Sequence, residues 1–390
     1  MIYGGDGLAR HEGQVVMAPF VLPGETVTVT LDPPHKGLRR GRVQRVDAPA
    51  AERQAAPCPL FARCGGCHYQ HAPYELQLAW KREILREVLR RVGKIEAPDD
   101  IPALAGEPWG YRNRVQIHAA AGRLGFLEPG SRTLCPARAC PIASPRLNQA
   151  LADLAEMARS PRWPAFLRSL ELFTNESQVQ LNVLETSRPL ARHFFDWCAR
   201  SLPGASEPLE YPTRDFCFRV GGRSFFQVNR FLLDALVDAA LADARGNHAL
   251  DLYAGVGLFS LPLARRFARV TAVETTRAAA QDLAFNAARA GLPVDVRQAS
   301  VEIFLAESRE TPDFVLADPP RSGLGKHTVR RLVELKTPLL VIVACDPATL
   351  ARDLAVLAAS GYRIDSLILV DLFPQTYHLE SIARLRWTGA

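Results

Sequence analysis

The sequence contains no run of about eighteen apolar residues, the least that would carry a helix across a bilayer. Its first residues, Met1–Gly7, also lack the basic and apolar stretches of a secretory signal. Charged residues make up 23% and hydrophobic residues 48% of the 390 positions, as in ordinary globular proteins. We therefore expect a cytoplasmic protein of two or three domains with no membrane partner.

A large excess of charge is also missing, since the formal net charge is only +6 and the pI is near 9.0. Within this weakly basic chain, positive charge is concentrated between residues 36 and 45. The basic residues of this stripe are Lys36, Arg39, Arg40, Arg42 and Arg45. The stripe is either a solvated loop and strand face or a binding surface for nucleic-acid phosphates.

Disulfides are not expected, because the chain has eight cysteines but no export signal. Three cysteines have the spacing Cys58-x5-Cys64-x2-Cys67, with two glycines between the last two. The C-x3-C-x2-C spacing of radical enzymes is absent. The triplet predicts an iron–sulfur or zinc site rather than unconnected thiols, with Cys140 preferred to Cys135 as the fourth ligand.

The N-terminal region reads as a small β unit. Strands are predicted at Val15–Phe20, Thr26–Leu31 and Arg42–Val46, the second from its strict alternation of apolar and polar residues. Short strands with Gly/Pro turns and a basic stripe are typical of part of an OB-type barrel. Residues Asp47–Pro57, rich in Ala and Pro, are predicted to be a linker.

The central region mixes a predicted amphipathic helix, Tyr74–Val92, with short strands such as Gln178–Leu184. From about residue 211, apolar strands alternate with helices, and two more strands close the chain. The strand candidates are Ala249–Tyr253, Val270–Val273, Val294–Arg297, Phe314–Ala317, Leu339–Ala344, Ser366–Val370 and Ile382–Arg386. The alternation predicts an α/β domain with a parallel, doubly wound sheet.

A glycine-rich turn, Asp251–Gly257, follows the first of these strands and precedes a predicted helix, Leu258–Phe267. Gly255 lets a ligand approach the backbone at the carboxyl edge of the sheet, and Glu274 ends the next strand, where a carboxylate binds ribose hydroxyls. Ser260 replaces the third glycine of a dinucleotide fingerprint, which weakens the case for NAD or FAD. The alternative is a tight turn that binds nothing.

Asp318-Pro319-Pro320-Arg321 ends another strand of this domain. In amino-group methyltransferases an aromatic residue usually follows the D/N-P-P motif and stacks on the target base. Arg321 takes that place here, which argues against methylation of an exocyclic amine.

Cys345 ends the Leu339–Ala344 strand on the same edge and is followed by Asp346-Pro347. Carbon 5 of a pyrimidine becomes nucleophilic when a thiolate adds to carbon 6, and a base must later remove the C5 proton. Glu380 is the candidate base and His378 is its rival. An inert buried thiol is the alternative for Cys345.

Together these residues resemble the bacterial RNA uracil-5-methyltransferases, specifically the iron–sulfur branch that acts on 23S ribosomal RNA. The resemblance spans nearly the whole chain, from a TRAM-like β unit through the cysteine cluster to a class I methyltransferase domain. The motifs that carry it, in the family's order, are Cys58/Cys64/Cys67/Cys140, Phe226–Asn229, Asp318–Arg321, Cys345–Thr349 and His378–Ser381.

The resemblance implies S-adenosylmethionine contacts from Gln227, Tyr253, Glu274 and Asp318. It further implies Cys345 as the nucleophile, Glu380 as the C5-proton base and a 4Fe–4S cluster on the four cysteines. Transfer RNA relatives generally lack the cluster, so the expected substrate is structured RNA, most of all 23S ribosomal RNA. No obligate protein partner is inferred.

Other functions stay open on the sequence alone. A transfer RNA uridine methyltransferase, a cytosine C5 methyltransferase and an RNA-binding module with an inactive pocket are the alternatives. The cluster is either structural or redox-active.

The implied domains are a TRAM/OB-like RNA-binding unit (1–50), an iron–sulfur and mixed α+β central domain (51–210) and a Rossmann-like methyltransferase domain (211–390). The strand that usually precedes Gly4–Gly7 in the family is expected to be missing. Ser300 stands where relatives often carry an asparagine near the cofactor, and it is a further cofactor candidate. Arg112 and Arg114 are expected to hold RNA phosphates.

Overall fold

The structure is a computed structural model that describes residues 1–202, 204–205 and 207–389. Within these ranges the chain forms four β-sheets and nine α-helices. None of the helices in the described residues combines the length and the apolar character that crossing a bilayer requires.

The N-terminal sheet has the order β1-β2-β4-β3. Its strands are β1 (Asp6–His11), β2 (Gln14–Pro19), β3 (Thr26–Leu31) and β4 (Leu38–Ala48). The bounds of β3 are those predicted, whereas β1 was not predicted because four of its six residues are exposed and it lacks apolar alternation. It forms by pairing with β2 through a hairpin at Glu12 and Gly13, both with positive φ.

The cysteine-bearing segment leads into helix α1 (Tyr74–Val88). The predicted helix to Val92 ends earlier, in a π-helical turn, Leu89–Gly93. The short strand β5 (Ala103–Leu104) then pairs with a strand from the other end of the chain. Part of the central region therefore belongs to the C-terminal sheet.

The central sheet has five antiparallel strands in the order β10-β9-β6-β7-β8. They are β6 (Arg114–Ala120), β7 (Arg123–Leu127), β8 (Leu134–Pro136), β9 (Leu167–Thr174) and β10 (Val179–Thr186). Helices α2 (Pro145–Met157) and α3 (Arg192–Ser201) share its hydrophobic core, and β11 (Leu209–Pro212) and β12 (Cys217–Val220) form a separate ribbon.

The C-terminal sheet has eight strands in the order β15-β14-β13-β16-β17-β19-β18-β5. Its other strands are β13 (Gly246–Leu252), β14 (Phe267–Glu274), β15 (Val294–Gln298), β16 (Phe314–Ala317), β17 (Leu339–Ala344), β18 (Tyr362–Val370) and β19 (Glu380–Trp387). The associated helices are α4 (Leu233–Ala240), α5 (Ser260–Leu263), α6 (Arg277–Ala290), α7 (Val301–Glu307), α8 (Gly325–Leu335) and α9 (Pro347–Ala359).

Strands β13 to β17 of this sheet are parallel, as predicted, but β19 lies antiparallel between β17 and β18. The helix predicted at Leu258–Phe267 is only the single turn of α5, and Phe267 is the first residue of β14.

Both faces of the sheet are covered, which explains the uninterrupted apolar character of its strands. Along β17, Leu340 and Ile342 belong to the hydrophobic core on one face, and Val341 and Val343 belong to the core on the other. The strand order reverses between β13 and β16. In sheets of this kind, ligands bind at the carboxyl ends of strands beside such a reversal.

Candidate active site

The glycine turn closes the carboxyl end of β13 in an unusual backbone conformation. Tyr253 has φ +63° and Gly255 has φ +56°, so a side-chain-bearing residue and a glycine both adopt left-handed geometry within three residues. A Cβ added to Gly255 would meet no atom within 4 Å, so this backbone borders open space. Strain of this kind concentrates at ligand sites.

Glu274, at the end of β14, holds the glycine turn in place. Its Oε2 accepts from the Gly255 amide at 2.9 Å and its Oε1 accepts from the Thr276 amide at 2.6 Å. Each carboxylate oxygen has a second lone pair, so the buried carboxylate retains the capacity to accept from ribose hydroxyls.

Asp318 ends β16, and Gln227 reaches it from the loop before α4. The Gln227 Nε2 donates to Asp318 Oδ2 at 3.2 Å. Burial raises the pKa of Asp318 to about 7, while the bond from Gln227 opposes the shift. The two residues implied by separate motifs are therefore in direct contact.

Asp251 is a further acidic residue beside the glycine turn, and it was not predicted to be a site residue. It lies fully buried in β13, accepts from the Ser260 hydroxyl at 2.5 Å, and has its pKa raised to about 7, first by burial. Its position at a strand end next to the glycine turn was the available signal.

Ser300 follows β15 and caps helix α7, where its hydroxyl accepts from the Ile303 amide at 3.3 Å. The adjacent Ala299 amide donates to the Glu274 carbonyl at 3.2 Å. Ser300 thus lies on the same edge as Glu274, with its hydroxyl already used by the helix.

The nucleophile and base candidates meet at the adjoining ends of β17 and β19. The last pair of this antiparallel ladder is Ala344 with Ser381. Cys345 follows Ala344 and Glu380 precedes Ser381, so the two candidates take the next facing positions. Cys345 is half-buried and also lines a small cavity together with Pro319 and Pro320 of the D-P-P motif.

Negative charge and burial control proton binding in this cleft. The pKa of Cys345 is raised to about 12, first by burial and then by the carboxyl groups of Glu380 and Asp318. Burial and Asp318 raise the pKa of Glu380 well above its ordinary value, and Arg321 opposes both shifts. The Oε1 of Glu380 is buried and has no hydrogen-bond partner among the described residues.

His378 contacts Arg321 rather than a carboxylate. The Arg321 Nη2 lies 3.3 Å from His378 Nδ1. Burial, followed by Arg321 and other cations, lowers the pKa of His378 to about 3, so its imidazole is neutral at physiological pH.

Asp346, directly after the nucleophile, caps helix α9. Its Oδ1 accepts from the Ala348 and Thr349 amides at 3.0 and 2.9 Å. Its Oδ2 accepts from the hydroxyl of Tyr3 at 3.1 Å, which joins the N-terminal segment to the Cys345 loop.

The cysteine cluster surrounds a cavity of about 160 Å³. The thiol-bearing residues that line it are Cys58, Cys64, Cys67 and Cys140. Both apolar side chains such as Phe126 and Ile142 and the polar Gln70, Arg112 and Gln116 also line the cavity, whereas Cys135 is buried in β8 and does not line it. The structure therefore brings together the four cysteines selected from the sequence.

Backbone amides and neighbouring thiols both act on these sulfurs. Burial raises the pKa of Cys64 to about 11, the Gly66 amide opposes the shift, and Cys140 and Cys58 add to it. Two backbone amides, of Ile142 and Ala143, bond to Cys140. Within residues 1–202, 204–205 and 207–389, no group of three or more His, Cys, Asp or Glu side chains is arranged to hold a metal ion.

The expectation that Arg114 binds phosphate is wrong. Arg114 is buried, donates through both terminal nitrogens to the Ser224 carbonyl at 3.1 Å, and lies 4.1 Å from the Phe173 ring centroid. The Arg112 Nε donates to the Arg114 carbonyl at 2.8 Å. The Arg114 side chain therefore holds the central sheet to the loop that precedes Gln227.

The basic stripe lies on the N-terminal sheet and its members differ in their pairing. Arg40 pairs with Asp6 at 3.3 Å and Arg45 pairs with Asp47 at 2.5 Å. Lys36 and Arg42 are exposed and form no ion pair with any residue that the structure describes.

The strand order, the glycine turn at the reversal point and the acidic strand ends define a class I, Rossmann-like methyltransferase fold. The crystal structure of Pyrococcus abyssi tRNA (uracil-54, C5)-methyltransferase in complex with S-adenosyl-L-homocysteine matches with a TM-score of 0.76. The match covers 98% of each chain at 24% sequence identity, so it establishes the shared fold.

Sequence relatives identify the family. The model of the tRNA (uracil-5-)-methyltransferase family matches residues 204–386. The 23S rRNA (uracil(1939)-C(5))-methyltransferase RlmD of Halomonas elongata is 35% identical, over 99% of this chain and 88% of the relative. The enzyme of the same name from Shewanella amazonensis is 32% identical, over 97% of this chain and 92% of the relative. The chain belongs to the RNA uracil-5-methyltransferase family.

Proposed function

We propose that this protein transfers the methyl group of S-adenosylmethionine to C5 of a uridine in RNA, with 23S ribosomal RNA in the cytoplasm as the substrate. The observation that carries the proposal is the facing placement of Cys345 and Glu380 beside Asp318 in a member of this family. Full-length relatives named for 23S ribosomal RNA support the choice of substrate.

The proposed reaction begins when the Cys345 thiol gives its proton to a base in the cleft and the resulting thiolate adds to C6 of the uracil, which places negative charge on C5 and O4. C5 then attacks the methyl group, and the sulfonium becomes a neutral thioether. Glu380 removes the C5 proton, the pair of electrons restores the C5–C6 double bond, and the C6–S bond breaks to return the thiolate. The uracil must leave its stack to present C6 to the thiol.

Glu380 is a better base than His378 on electrostatic grounds. Its pKa is raised, whereas that of His378 is lowered to about 3, and a group of such low pKa holds a proton poorly near neutrality. The Oε1 of Glu380 supports this role. It has no hydrogen-bond partner among the described residues, so it can accept a proton without first losing a hydrogen bond to the protein.

The residues at the carboxyl edge fit S-adenosylmethionine, which supplies an electrophilic methyl group when bound. Glu274 and the Gly255 backbone would hold the ribose side, while Asp318 and Gln227 would hold the methionine side. Asp251 has a buried oxygen, Oδ1, without a partner among the described residues, so it joins Tyr253 and Ser300 as a further contact candidate.

Cys58, Cys64, Cys67 and Cys140 are proposed to hold a 4Fe–4S cluster on the ground of their thiol chemistry, although the described side chains do not stand in a metal-holding arrangement. Four thiols around one cavity, with backbone amides bonded to Cys64 and Cys140, are the type of ligand that iron–sulfur clusters use. The alternative occupant, a zinc ion, would require all four sulfur atoms to lie about 2.3 Å from a single point.

Residues 1–50 are proposed to bind RNA, residues 51–210 to carry the cluster and residues 211–390 to perform methyl transfer. Lys36 and Arg42, which are exposed and have no ion pair among the described residues, are proposed to contact phosphates.

Tritium release tests the proposed reaction, because methylation at C5 expels the C5 hydrogen into water. A 23S ribosomal RNA fragment carrying [5-³H]uridine should release one tritium for each methyl group transferred, and Cys345→Ala should release none. A matched fragment carrying [5-³H]cytidine should release no tritium. Release from transfer RNA alone would reject the ribosomal substrate, and methylation without release would reject C5 as the target.

A further inference from the structure

The base candidate Glu380 is preceded by a segment with no regular secondary structure, residues 371–379, here called the base loop. It joins β18 to β19, and its last residue is followed directly by Glu380. The position of the carboxylate at the start of β19 therefore depends on how the base loop is held.

Four consecutive carbonyls of the base loop accept hydrogen bonds from residues far away in sequence. The bonds are Asn229 Nδ2 to Leu372 O at 3.2 Å, Lys81 Nζ to Phe373 O at 3.0 Å, Tyr111 Oη to Pro374 O at 3.1 Å, and the His68 and Tyr69 amides to Gln375 O at 2.8 and 3.0 Å. Most of these donors belong to the cysteine-bearing segment, helix α1 or Tyr111, rather than to the sheet that carries Glu380.

Side chains hold the loop from the same direction. Gln77 and Gln375 form a reciprocal pair, in which the Gln375 amide donates to Gln77 Oε1 and Gln77 Nε2 donates to Gln375 Oε1, both at 3.0 Å. Gln375 has φ +67°, a conformation that needs such support. Lys81 and Asp371 form a fully buried ion pair at 2.6 Å.

Tyr111 links this arrangement to the four-cysteine site. It is fully buried and packs in one small hydrophobic cluster with Cys67 and Ile142, with Cys140 against its edge. The two residues that follow Cys67, His68 and Tyr69, donate from their backbone amides to the Gln375 carbonyl. Two anchors of the base loop, His68 and Tyr111, therefore lie next in sequence to residues that line the cysteine cavity, Cys67 and Arg112.

We propose that Tyr111, Gln77 and Lys81 are positioning residues for Glu380, and that the four-cysteine site, through Tyr111 and the His68–Tyr69 backbone, affects the rate at which the C5 proton is removed. The inference rests on the proposed methyl transfer and deepens it. Addition of Cys345 to C6 and attack of C5 on the methyl group do not depend on the position of the base loop. Proton removal by Glu380, which restores the C5–C6 double bond and expels the thiolate, does depend on it.

Displacement of the base loop therefore leaves a specific trace. The methylated uracil stays bonded to Cys345, because the C6–S bond breaks only after the C5 proton has gone. Tyr111→Phe removes one hydroxyl and keeps the ring. Tyr362→Phe is its matched control, because the Tyr362 hydroxyl also donates to a backbone carbonyl, that of Leu332, away from the base loop.

The experiment mixes each variant with ordinary uridine RNA and [methyl-³H]S-adenosylmethionine and follows denaturation-stable, labelled protein–RNA adduct. Tyr111→Phe should accumulate adduct and lose roughly 10-fold to 100-fold in turnover, the scale of a small misplacement of a reacting group. Tyr362→Phe should behave as the unaltered protein. Gln77→Glu, which breaks the reciprocal pair without changing size, repeats the test if Tyr111→Phe does not fold.

Hydrogen exchange tests the link to the cysteines without relying on activity. Cys140→Ser should speed amide exchange in residues 371–379 and leave the strands β13 and β16 protected. Equal exchange in both proteins, or equal adduct levels in Tyr111→Phe and Tyr362→Phe while the unaltered protein methylates RNA, would overturn the inference. Absence of methylation by the unaltered protein would instead reject the proposed function.

Discussion

Cys345 and Glu380 take facing positions because Ala344 pairs with Ser381 at the end of an antiparallel ladder. The nucleophile candidate directly follows the last residue of β17, and the base candidate is the first residue of the neighbouring strand β19. A parallel arrangement of β17 and β19 would have put their positions at opposite ends of the sheet. The antiparallel insertion of β19 is therefore what creates the candidate catalytic pair.

Replacing Glu380 by Gln should leave addition to RNA intact and block release. Glutamine keeps the size of the side chain but cannot accept the C5 proton, and complete loss of a general base costs roughly 10²–10⁴ in rate. Stable, methylated protein–RNA adduct should accumulate on ordinary uridine RNA. If Glu380→Gln turns over at the rate of the unaltered protein, another group is the base.

The release step should also depend on pH. Since burial and Asp318 raise the pKa of Glu380, its carboxyl holds a proton at low pH and accepts none. The rate of adduct breakdown should therefore rise with pH until Glu380 is ionised, and the Glu380→Gln rate should be flat over the same range. Single-turnover quenching at several pH values measures both.

Binding of S-adenosylmethionine should release protons near neutrality. The pKa of Asp318 is raised to about 7 by burial, and a sulfonium nearby favours the ionised carboxylate. Affinity should therefore increase as pH rises towards 7, by up to about tenfold per unit for one obligatory proton, and level off above it. Calorimetry in buffers of different ionisation enthalpy measures this proton release. Asp318→Asn should remove the part of the proton release that comes from Asp318. If the affinity of this variant depends on pH as that of the unaltered protein does, Asp318 is not the group that loses the proton.

Two arginines of the basic stripe should contribute unequally to RNA binding. Arg42 is unpaired among the described residues, whereas Arg45 is engaged by Asp47. Arg42→Ala should weaken binding and lower the slope of log affinity against log salt by about 0.7 to 0.9. Arg45→Ala serves as the control with a smaller effect. Equal slopes for both variants and the unaltered protein would show that the N-terminal sheet does not take part in RNA binding.

The buried ion pair of Lys81 and Asp371 should be a large stability determinant. Lys81→Met leaves the Asp371 carboxylate buried, with the Tyr74 hydroxyl as its one remaining side-chain partner among the described residues. Loss of one member of such a buried ion pair lowers the free energy of unfolding by about 3–5 kcal/mol. Arg86→Met on the same helix removes an exposed pair with Glu83 and should cost about 0–1 kcal/mol. Denaturant unfolding measures both. A loss below about 1 kcal/mol for Lys81→Met would show that the pair is not stabilising.

The elements with strong local patterns were predictable from the sequence. Thr26–Leu31, Phe314–Ala317 and Leu339–Ala344 have the predicted bounds, because alternation or an uninterrupted apolar run marks each one. Strand β1 has mostly exposed residues and owes its conformation to β2, so no local pattern revealed it.

The residues that only the structure revealed act through tertiary contacts. Arg114 looked like a surface cation, yet its guanidinium is buried against Phe173. The support of the base loop by Lys81 and Tyr111 joins residues separated by more than half of the chain, and no spacing rule reports such contacts. The candidate site residues, by contrast, lie at strand ends, where the carboxyl edge of a sheet gathers them.

The most direct test of the central claim is mass spectrometry of the protein after reaction with 5-fluorouridine RNA and S-adenosylmethionine. Fluorine at C5 cannot leave as a proton, so the covalent adduct should persist, and digestion should place a methylated fluorouridine on the peptide that contains Cys345. Adduct on a peptide containing any other cysteine, or methyl transfer to uridine RNA by Cys345→Ala, would contradict the account.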